Sequence, residues 1–340
     1  MHKLNVLIAG STGYIGIQLV KLLVKHKYVK IKYLCGNSSI GKKISDFDKS
    51  LTNKKLPTIV KFNKKLLNEI DLIFTALPNG EAQKISNYLK ANNVLIDLAA
   101  DFRLKKVSDY FKWYKQKHKS IMNIKKSIYS LPEISKEEVK KFNIISCPGC
   151  YPTSILLPLI PLVQKKLINL KNISIDSKSG YSGAGRGVHK KYKSQNLYES
   201  ISAYGVGFHR HNSEIEQTLK KYSKKKIEFN FTPHLTPMFR GILSTIYIEV
   251  NKNVSQNKIK KVLSDYYRKD IFIKILKNDS FISTNDVINT NRCHISVCKT
   301  KNKNKLIILS IIDNLIKGGS GQGVQNMNLR FGFPLKTGLI

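Results

Sequence analysis

Leu4–Gly16, with the sequence LNVLIAGSTGYIG, decides the fold, because an apolar run is followed directly by three glycines spaced G-x-x-G-x-x-G. Residues 17–24 then carry Ile, Leu and Val at helical spacing. A glycine loop between a strand and a helix allows a tight turn and the close approach of a pyrophosphate to the helix N-terminus. A purely structural turn is the alternative. We predict that the loop binds a dinucleotide through Gly10, Ser11, Thr12, Gly13, Tyr14, Ile15 and Gly16.

The end of the second predicted strand, Ile31–Cys35, indicates which dinucleotide is bound. Enzymes that use NAD place Asp or Glu near this point to hold the ribose 2′-hydroxyl. Here the polar stretch Gly36–Ser39 follows instead, and then Lys42 and Lys43. Hydroxyls and cations suit a 2′-phosphate, so the sequence favours NADP(H) over NAD, with contacts from Asn37 and Ser38.

Strands and helices continue to alternate after this point. Apolar runs at 70–77 and 93–98 indicate buried parallel strands, and a helix is predicted between them at about 81–91. This alternation predicts an α/β fold with a doubly wound parallel sheet, which binds ligands at the carboxyl ends of its strands. We therefore assign Leu77 and Pro78 to the cofactor and Arg103 to the substrate. A surface ion pair between Asp101 and Arg103 is the alternative.

A reactive cysteine is predicted within Asn143–Ser154, NIISCPGCYPTS. A β-rich run ends at Ser146, a Pro-Gly pair turns the chain, and an apolar helical pattern follows from Tyr151 to about Leu167. Cys150 thus lies at a helix N-terminus, where the helix dipole favours the thiolate. It is a candidate nucleophile. A buried structural cysteine, or a Cys-x-x-Cys redox or half-zinc site with Cys147, remains an alternative.

The second half of the chain has longer strands and fewer helices. Strands are predicted at 173–178, 227–235, 241–250, 271–276 and 306–312, and an amphipathic helix at 255–267. This pattern indicates an α+β domain with a mostly antiparallel sheet. The glycine-rich C-terminus becomes helical from Val324 and is expected to dock back on the first domain. The predicted domains are therefore 1–149 completed by 318–340, and 150–317.

Two polar segments of the second half are candidate site elements. The glycine-rich loop Ser179–Gly187 includes one arginine and brings backbone close to an anion, unless it is only a turn. The segment Tyr204–Gln217 places two histidines around an arginine just before a helix that Ser213 could cap. A histidine there could act as base for the cysteine and later as acid. From these segments and the C-terminal helix, the further cofactor contacts are Ser182, Gly183 and Asn326.

Composition limits the remaining classes of function. The 59 Lys and Arg against 22 Asp and Glu give a net charge of +37, yet only seven of the cations are Arg. Nucleic-acid readers rely on Arg forks and basic stripes, so a lysine-rich composition bias is the preferred explanation, and no nucleic-acid partner is predicted. No apolar run approaches a membrane span, and no signal peptide is recognised. The five cysteines are scattered and do not suggest a disulfide framework, which favours a cytoplasmic location. No metal site is predicted.

Together these motifs resemble the N-acetyl-γ-glutamyl-phosphate reductases and, more distantly, the aspartate-semialdehyde dehydrogenases. The resemblance covers nearly the whole chain and rests on Gly10–Gly16, Ala99–Leu104, Leu131–Glu133, Pro148–Thr153, Ser182–Arg186, His209–Gln217, Phe239–Leu243 and Gln322–Asn328. It implies an oxidoreductase of arginine biosynthesis that reduces an acyl phosphate with NADPH through a thioester on Cys150. It also implies a homo-oligomer, dimeric or tetrameric, with a dimerisation role for the second domain.

The resemblance also implies the assisting residues. A histidine of the His-Arg-His segment assists the cysteine, His211 being the first choice and His209 the second. Residue type and position, and not the resemblance, give the candidates for substrate contacts, which are Arg103, Arg186, Arg210, Glu214 and Arg240. Cys147 departs from the family, which often carries Asn there, and a Cys147–Cys150 disulfide that inactivates the enzyme is one hypothesis.

Three alternatives stay open from the sequence alone. A related reductase could act on aspartyl phosphate, or on a glutamyl or aminoadipyl phosphate attached to a carrier protein. A redox protein built on the Cys-x-x-Cys pair is a different class. A basic nucleic-acid-binding protein is the non-enzyme interpretation.

Overall fold

The computed structural model describes residues 3–186 and 197–340. The chain divides into two compact units, Met1–Gly149 together with Gly319–Ile340, and Cys150–Gly318. The α-helices are, in chain order, α1 Tyr14–Leu23, α2 Glu81–Ser86, α3 Val107–Tyr114, α4 Ile121–Lys125, α5 Cys150–Gln164, α6 His211–Ser223, α7 Gln256–Tyr267 and α8 Gly321–Phe331.

The first unit contains a seven-stranded sheet in which every pair of neighbours is parallel, in the order β3-β2-β1-β4-β5-β7-β6. Its strands are β1 Leu4–Ala9, β2 Val29–Cys35, β3 Ile59–Val60, β4 Leu72–Thr75, β5 Val94–Asp97, β6 Ser127–Tyr129 and β7 Ile144–Ser146. The central strands are buried and almost entirely apolar, as parallel strands covered on both faces must be. The predicted doubly wound parallel sheet is confirmed.

The last helix of the chain packs in the first unit. Helix α8 contacts β5 and α1. Its Gly323 lies so close to the sheet that a Cβ there would be 3.0 Å from Leu98 Cδ2. The Asn328 side chain reaches His26 Nε2 at 2.9 Å. The C-terminus therefore supplies part of the core of the unit that the N-terminus begins.

The second unit contains a mixed sheet in the order β12-β13-β14-β11-β8-β10-β9. Its strands are β8 Ile173–Gly180, β9 Ser202–Ala203, β10 Phe229–Thr236, β11 Ile242–Glu249, β12 Ile273–Ile275, β13 Cys293–Lys299 and β14 Lys305–Ile312. Most neighbours are antiparallel, while β8–β10 and β12–β13 are parallel. The predicted α+β unit with a mostly antiparallel sheet is confirmed.

Several boundaries differ from the sequence prediction. Helix α2 ends at Ser86 rather than near residue 91, where the Ser86 hydroxyl donates to Gln83 O at 2.7 Å and competes with the backbone. Strand β13 was not predicted. Strands β10 and β11 do run in opposite directions, but β8 lies between them, because each pairs with β8 instead of with the other.

Helix α5 is buried along nearly its whole length although it contains two prolines, Pro158 and Pro161. Pro161 has no N–H to donate to the carbonyl of Leu157, the i−4 acceptor in a regular helix. The hydroxyl of Tyr267, on α7, donates to that carbonyl at 2.5 Å. A side chain of another helix thus replaces the backbone hydrogen bond that the proline removes.

Candidate active site

The glycine loop between β1 and α1 has the close approaches that a dinucleotide fingerprint requires. Gly10 has φ +86°, and a Cβ on it would lie 2.2 Å from the carbonyl oxygen of Ala76. A Cβ on Gly16 would lie 2.1 Å from the carbonyl oxygen of Gly10. Gly13 is the N-cap of α1 and has no side chain to stand between the helix N-terminus and an anion. The loop therefore fits a pyrophosphate group.

The other residues of the loop differ in exposure. Ser11 is fully buried, and its hydroxyl donates to the carbonyl of Cys35 at 3.2 Å, which ties the loop to β2. Thr12, Tyr14 and Ile15 are half-buried. The Ser11 hydroxyl is thus occupied within the fold, and the contact of Ser11 with a cofactor stays a prediction.

Further predicted cofactor residues lie along the same edge of the sheet. Asn37 and Ser38 follow β2 and are exposed, as are Lys42 and Lys43. Because β2, β1 and β4 are parallel neighbours, their carboxyl ends lie together, and Leu77 and Pro78 follow β4 there. This edge offers hydroxyl, amide and ammonium groups to a 2′-phosphate and suits NADP(H).

Asn326, also assigned to the cofactor from the sequence, is buried within the first unit. Its side-chain amide donates to Ser130 O at 3.2 Å and to Cys147 Sγ at 3.4 Å, and its oxygen accepts from the Ser130 hydroxyl. These bonds give the side chain a structural role, and its contact with the cofactor stays a prediction.

The two cysteines of the Pro-Gly turn have different environments. Cys150 is the first residue of α5 and is half-buried, whereas Cys147 is fully buried. Burial raises the pKa of Cys147 to about 12, against the opposing effect of the Asn326 amide. Cys147 and Cys150 are not joined by a disulfide in this structure. Cys147 is therefore a poor nucleophile and a poor redox partner, and Cys150 keeps the environment of a reactive cysteine.

The histidine pair lies beside the start of α5. The rings of His209 and His211 are 4.7 Å apart between centroids, and they pack edge-on to Tyr151, the residue after the cysteine, at 5.7 and 5.9 Å. His211 is buried, and its Nε2 lies 3.7 Å from Oε1 of Glu214, which is fully buried. The Glu214 carboxyl group therefore faces the His211 ring, at a distance longer than a hydrogen bond.

His209 has a structural part in this arrangement. Its Nδ1 accepts a hydrogen bond from the backbone N–H of His211 at 3.2 Å, which places the proton of the neutral ring on Nε2. Burial, assisted by Arg210, lowers the pKa of His209 to about 4. His209 is thus neutral at neutral pH.

The predicted cap at Ser213 is wrong. Helix α6 begins at His211, two residues earlier, and the Ser213 hydroxyl donates to Arg210 O at 2.7 Å from inside the first turn. The His209 ring instead accepts the hydrogen bond from the backbone N–H of His211, in the first turn of the helix, as a capping side chain would.

The candidate arginines fall into two groups. Arg186 and Arg210 are exposed. Arg103 is buried, and its guanidinium donates to Cys147 O at 2.9 Å and to Leu98 O at 3.2 Å. Arg240 donates to Asn289 Oδ1 at 2.6 Å and to Asp313 Oδ2 at 3.1 Å. Arg103 and Arg240 therefore hold structural contacts that sequence reasoning did not foresee.

The alternative of a surface ion pair between Asp101 and Arg103 is wrong, because both residues are buried. The Asp101 carboxylate instead accepts from the backbone N–H of Gly80 at 2.7 Å and from the Tyr110 hydroxyl at 2.7 Å. These bonds fix the turn that follows β4.

In the predicted glycine-rich loop, Ser182 is buried and its hydroxyl accepts from the side-chain amide of Asn314 at 2.9 Å, while Gly183 is exposed. Gly187, the last residue of that loop, lies outside the described residues. Asp313 and Asn314 were not predicted from the sequence, although an Asp-Asn pair at the end of an apolar run is a turn signal that could have identified them.

Comparison with known proteins places these features in a family. Residues 5–142 match the model of the semialdehyde dehydrogenase NAD binding domain, and residues 150–314 match that of the semialdehyde dehydrogenase dimerisation domain. An N-acetyl-gamma-glutamyl-phosphate reductase of Thermoanaerobacter pseudethanolicus is 43% identical over 335 residues, covering 98% of this chain and 96% of the relative. The chain belongs to the N-acetyl-gamma-glutamyl-phosphate reductase family. A probable chloroplastic N-acetyl-gamma-glutamyl-phosphate reductase of Arabidopsis thaliana is 40% identical, covering 98% and 83%.

Solved structures share the fold of this N-acetyl-gamma-glutamyl-phosphate reductase family member. Aspartate semialdehyde dehydrogenase II of Vibrio cholerae, complexed with ASA, aligns with a TM-score of 0.73 at 17% identity, covering 98% of this chain and 99% of the other. The enzyme of Candida albicans with NADP aligns with a TM-score of 0.70 at 18% identity, covering 96% and 98%. The predicted family resemblance is confirmed. Within residues 3–186 and 197–340, no helix has the length and apolar character of a membrane span.

Proposed function

We propose that this protein reduces N-acetyl-γ-glutamyl phosphate to N-acetylglutamate 5-semialdehyde and phosphate with NADPH, as a step of arginine biosynthesis. The observation that carries the proposal is the half-buried Cys150 at the N-terminus of α5, beside a buried His–Glu pair, in a chain of this family. The family likeness supports an oxidoreductase, and the site supplies a nucleophile with an acid–base partner.

The chemistry at Cys150 follows from its position. The thiolate attacks the acyl carbon of the acyl phosphate, the bond between that carbon and the phosphate oxygen breaks, phosphate leaves, and a thioester on Cys150 remains. NADPH, when bound, supplies the hydride that reduces this thioester to the aldehyde. Backbone N–H groups at the start of α5 stabilise the oxyanion, a type of contact whose loss typically costs about 10²–10³ in rate. The thiolate is released again when the aldehyde leaves.

His211 is the acid–base residue of this proposal. It accepts the thiol proton and returns a proton to the substrate oxygen, with Glu214 orienting its ring instead of binding substrate. His209 supports this role from its position, since it caps the first turn that bears His211 and its low pKa keeps it neutral. The exposed Arg186 and Arg210 remain the candidates for the carboxylate and phosphate of the substrate.

The first unit holds the cofactor in this proposal. The backbone of Gly10–Gly16 meets the pyrophosphate, and Asn37 and Ser38 lie where the 2′-phosphate of NADP(H) is recognised. Leu77 and Pro78 line the same edge of the sheet. Residues 1–149 with 318–340 are thus the NADP-binding domain, completed by Asn326 and its helix, while Ser182 and Gly183 add contacts from 150–317.

The protein is further proposed to be a cytoplasmic homo-oligomer, a dimer or a tetramer, assembled through the second domain. Support comes from the match of residues 150–314 to a dimerisation domain. Light scattering coupled to size-exclusion chromatography measures the mass directly, and a monomer at micromolar concentration would contradict this assembly.

The test is the reverse reaction, in which N-acetylglutamate 5-semialdehyde, NADP and phosphate are supplied and NADPH absorbance is followed. Wild type and Cys150→Ser are compared, with aspartate semialdehyde as the competing substrate. Phosphate-dependent turnover of the acetylated substrate, lost in the variant, supports the proposal. Turnover of aspartate semialdehyde alone would show that the substrate is the aspartyl compound. Absence of turnover by folded protein that binds NADPH would overturn the reaction class.

A further inference from the structure

Asp313, directly after β14, has a buried carboxylate that is fully occupied by hydrogen bonds within the second unit. Its Oδ1 accepts from the backbone N–H of Leu315 at 2.8 Å and of Ile316 at 3.1 Å. Its Oδ2 accepts from the backbone N–H of Asn289 at 2.8 Å and from Arg240 Nη1 at 3.1 Å. The carboxylate thereby fixes the start of the turn that follows β14, and Arg240 is the cation that balances its buried charge.

This turn reaches the nucleophile. The backbone N–H of Gly318 donates to Asp313 O at 2.9 Å, which closes the turn Asp313–Gly318. The backbone of Gly318 then lies against the first residue of α5, since a Cβ on Gly318 would be 2.7 Å from Cys150 Cβ and 3.1 Å from its Cα. The turn is therefore one wall of the space around the thiol, and only glycine fits there.

Asn314 ties the same turn to two neighbouring loops. Its side-chain oxygen accepts from the backbone N–H of Gly241 at 2.7 Å, and its side-chain nitrogen donates to the Ser182 hydroxyl at 2.9 Å. Gly241 follows Arg240 directly, so that the loop bearing the arginine is held by both Asp313 and Asn314. The position of the turn is thus set by polar contacts that converge from three loops.

We propose that Asp313 and its counter-cation Arg240 are positioning residues for Cys150. They hold the turn Asp313–Gly318 in the shape that presses Gly318 against the cysteine and keeps the thiol directed at the N-terminus of α5. Arg240 then acts through this turn and not as a ligand of the substrate. The inference rests on the proposed role of Cys150 as nucleophile.

Asp313→Asn is the decisive substitution because it keeps size and shape. An amide has one acceptor oxygen, which can accept either from the N–H groups of the turn or from Arg240 and Asn289. Its NH₂ group then faces the remaining donors, with which it cannot form a hydrogen bond. The matched control is Glu228→Gln, the same acid-to-amide change at an exposed ion pair with Lys226 in the same unit.

Two readouts separate positioning from substrate binding and from simple destabilisation. In Asp313→Asn, kcat of the semialdehyde reaction should fall at least about tenfold while KM changes less than about threefold, because misplacement of a reacting group costs rate and not affinity. Without any substrate, the pH midpoint of iodoacetamide alkylation at Cys150, followed by mass spectrometry of its peptide, should rise. The alkylation rate at pH 7 should fall at least about threefold, because a thiol that leaves the helix N-terminus loses thiolate character.

Arg240→Lys and Gly318→Ala extend the test should Asp313→Asn fail to fold. Both should lower kcat in the same way, and Gly318→Ala should also shift the alkylation midpoint, while Glu228→Gln matches wild type in every readout. A KM raised at least tenfold in Arg240→Lys, with kcat and the alkylation midpoint unchanged, would identify a substrate ligand and overturn the inference. Unchanged kcat and midpoint in all three variants would also overturn it. Absence of semialdehyde turnover in wild type rejects the proposed reaction instead, and the alkylation midpoint still decides the positioning role.

Discussion

Removal of one hydroxyl, in Tyr267→Phe, should destabilise the second unit by about 1–3 kcal/mol, the usual cost of a buried backbone carbonyl left without a donor. The Tyr267 hydroxyl is the donor to Leu157 O, and Pro161 cannot take its place because it has no N–H. The phenyl ring keeps its volume, so no cavity term adds to the loss. The measurement is urea unfolding followed by far-UV circular dichroism.

The proline supplies the internal control. In Pro161→Ala the helix regains an N–H at residue 161, so Tyr267→Phe should cost at least about 1 kcal/mol less in that background than in wild type, as a double-mutant cycle would measure. Tyr266→Phe, the same change at the half-buried neighbouring tyrosine, should stay within about 0.5 kcal/mol of wild type. An equal cost of Tyr267→Phe in both backgrounds would refute the assignment of this hydroxyl to the carbonyl that Pro161 leaves without a donor.

Three other predictions concern the site. In the semialdehyde assay, Cys147→Ser should keep kcat within about threefold of wild type, whereas Cys150→Ser should abolish turnover, because only the Cys150 thiol has a reactive environment. An equal loss of activity in both variants would support the redox-pair alternative. Gly10→Ala should raise the Kd for NADPH at least about tenfold by fluorescence titration, because its Cβ would meet a carbonyl oxygen at 2.2 Å. Gly332→Ala, at the C-terminal end of α8, also has positive φ but open space around it, and it controls for backbone strain alone. The pKa of His209 is about 4 in the folded state and about 6.5 when unfolded, so the unfolded chain binds the proton first as pH falls, and the free energy of unfolding decreases. In His209→Asn this decrease between pH 7 and pH 4 should be smaller by up to about 3 kcal/mol. An unchanged pH dependence of the free energy of unfolding would contradict this.

The parts of the fold that depend on local pattern could be predicted from the sequence. The strand Leu4–Ala9 and the loop after it were identified because apolar runs and glycine spacing are properties of neighbouring residues. Helix α7 was predicted at 255–267 for the same reason, and the structure begins it one residue later, with Ser255 as the N-cap whose hydroxyl accepts the N–H of Lys258. The insertion of β8 between β10 and β11 depends on pairing between distant segments, and no local pattern encodes it.

The candidate site divides along the same line. Cys150 was identified from a local strand–turn–helix signal, and its place at the first residue of α5 agrees with that signal. Arg103 donates to Cys147, 44 residues away, and Arg240 to Asp313, 73 residues away. Local sequence shows that an arginine is present but not which distant group it binds. In a chain rich in lysine, a remaining arginine indicates a position where the planar guanidinium group is required. At Arg103 and Arg240 the guanidinium group binds acceptors of the protein itself.

The return of α8 to the first unit has a consequence for synthesis of the chain. Ser130 and Cys147 acquire their partner Asn326 only after all of the second unit has been synthesised, because residues 150–318 precede it in the chain. The second unit is continuous in sequence and needs no segment that is synthesised after it. The first unit therefore begins synthesis first but lacks part of its core until the whole of its neighbour has been made.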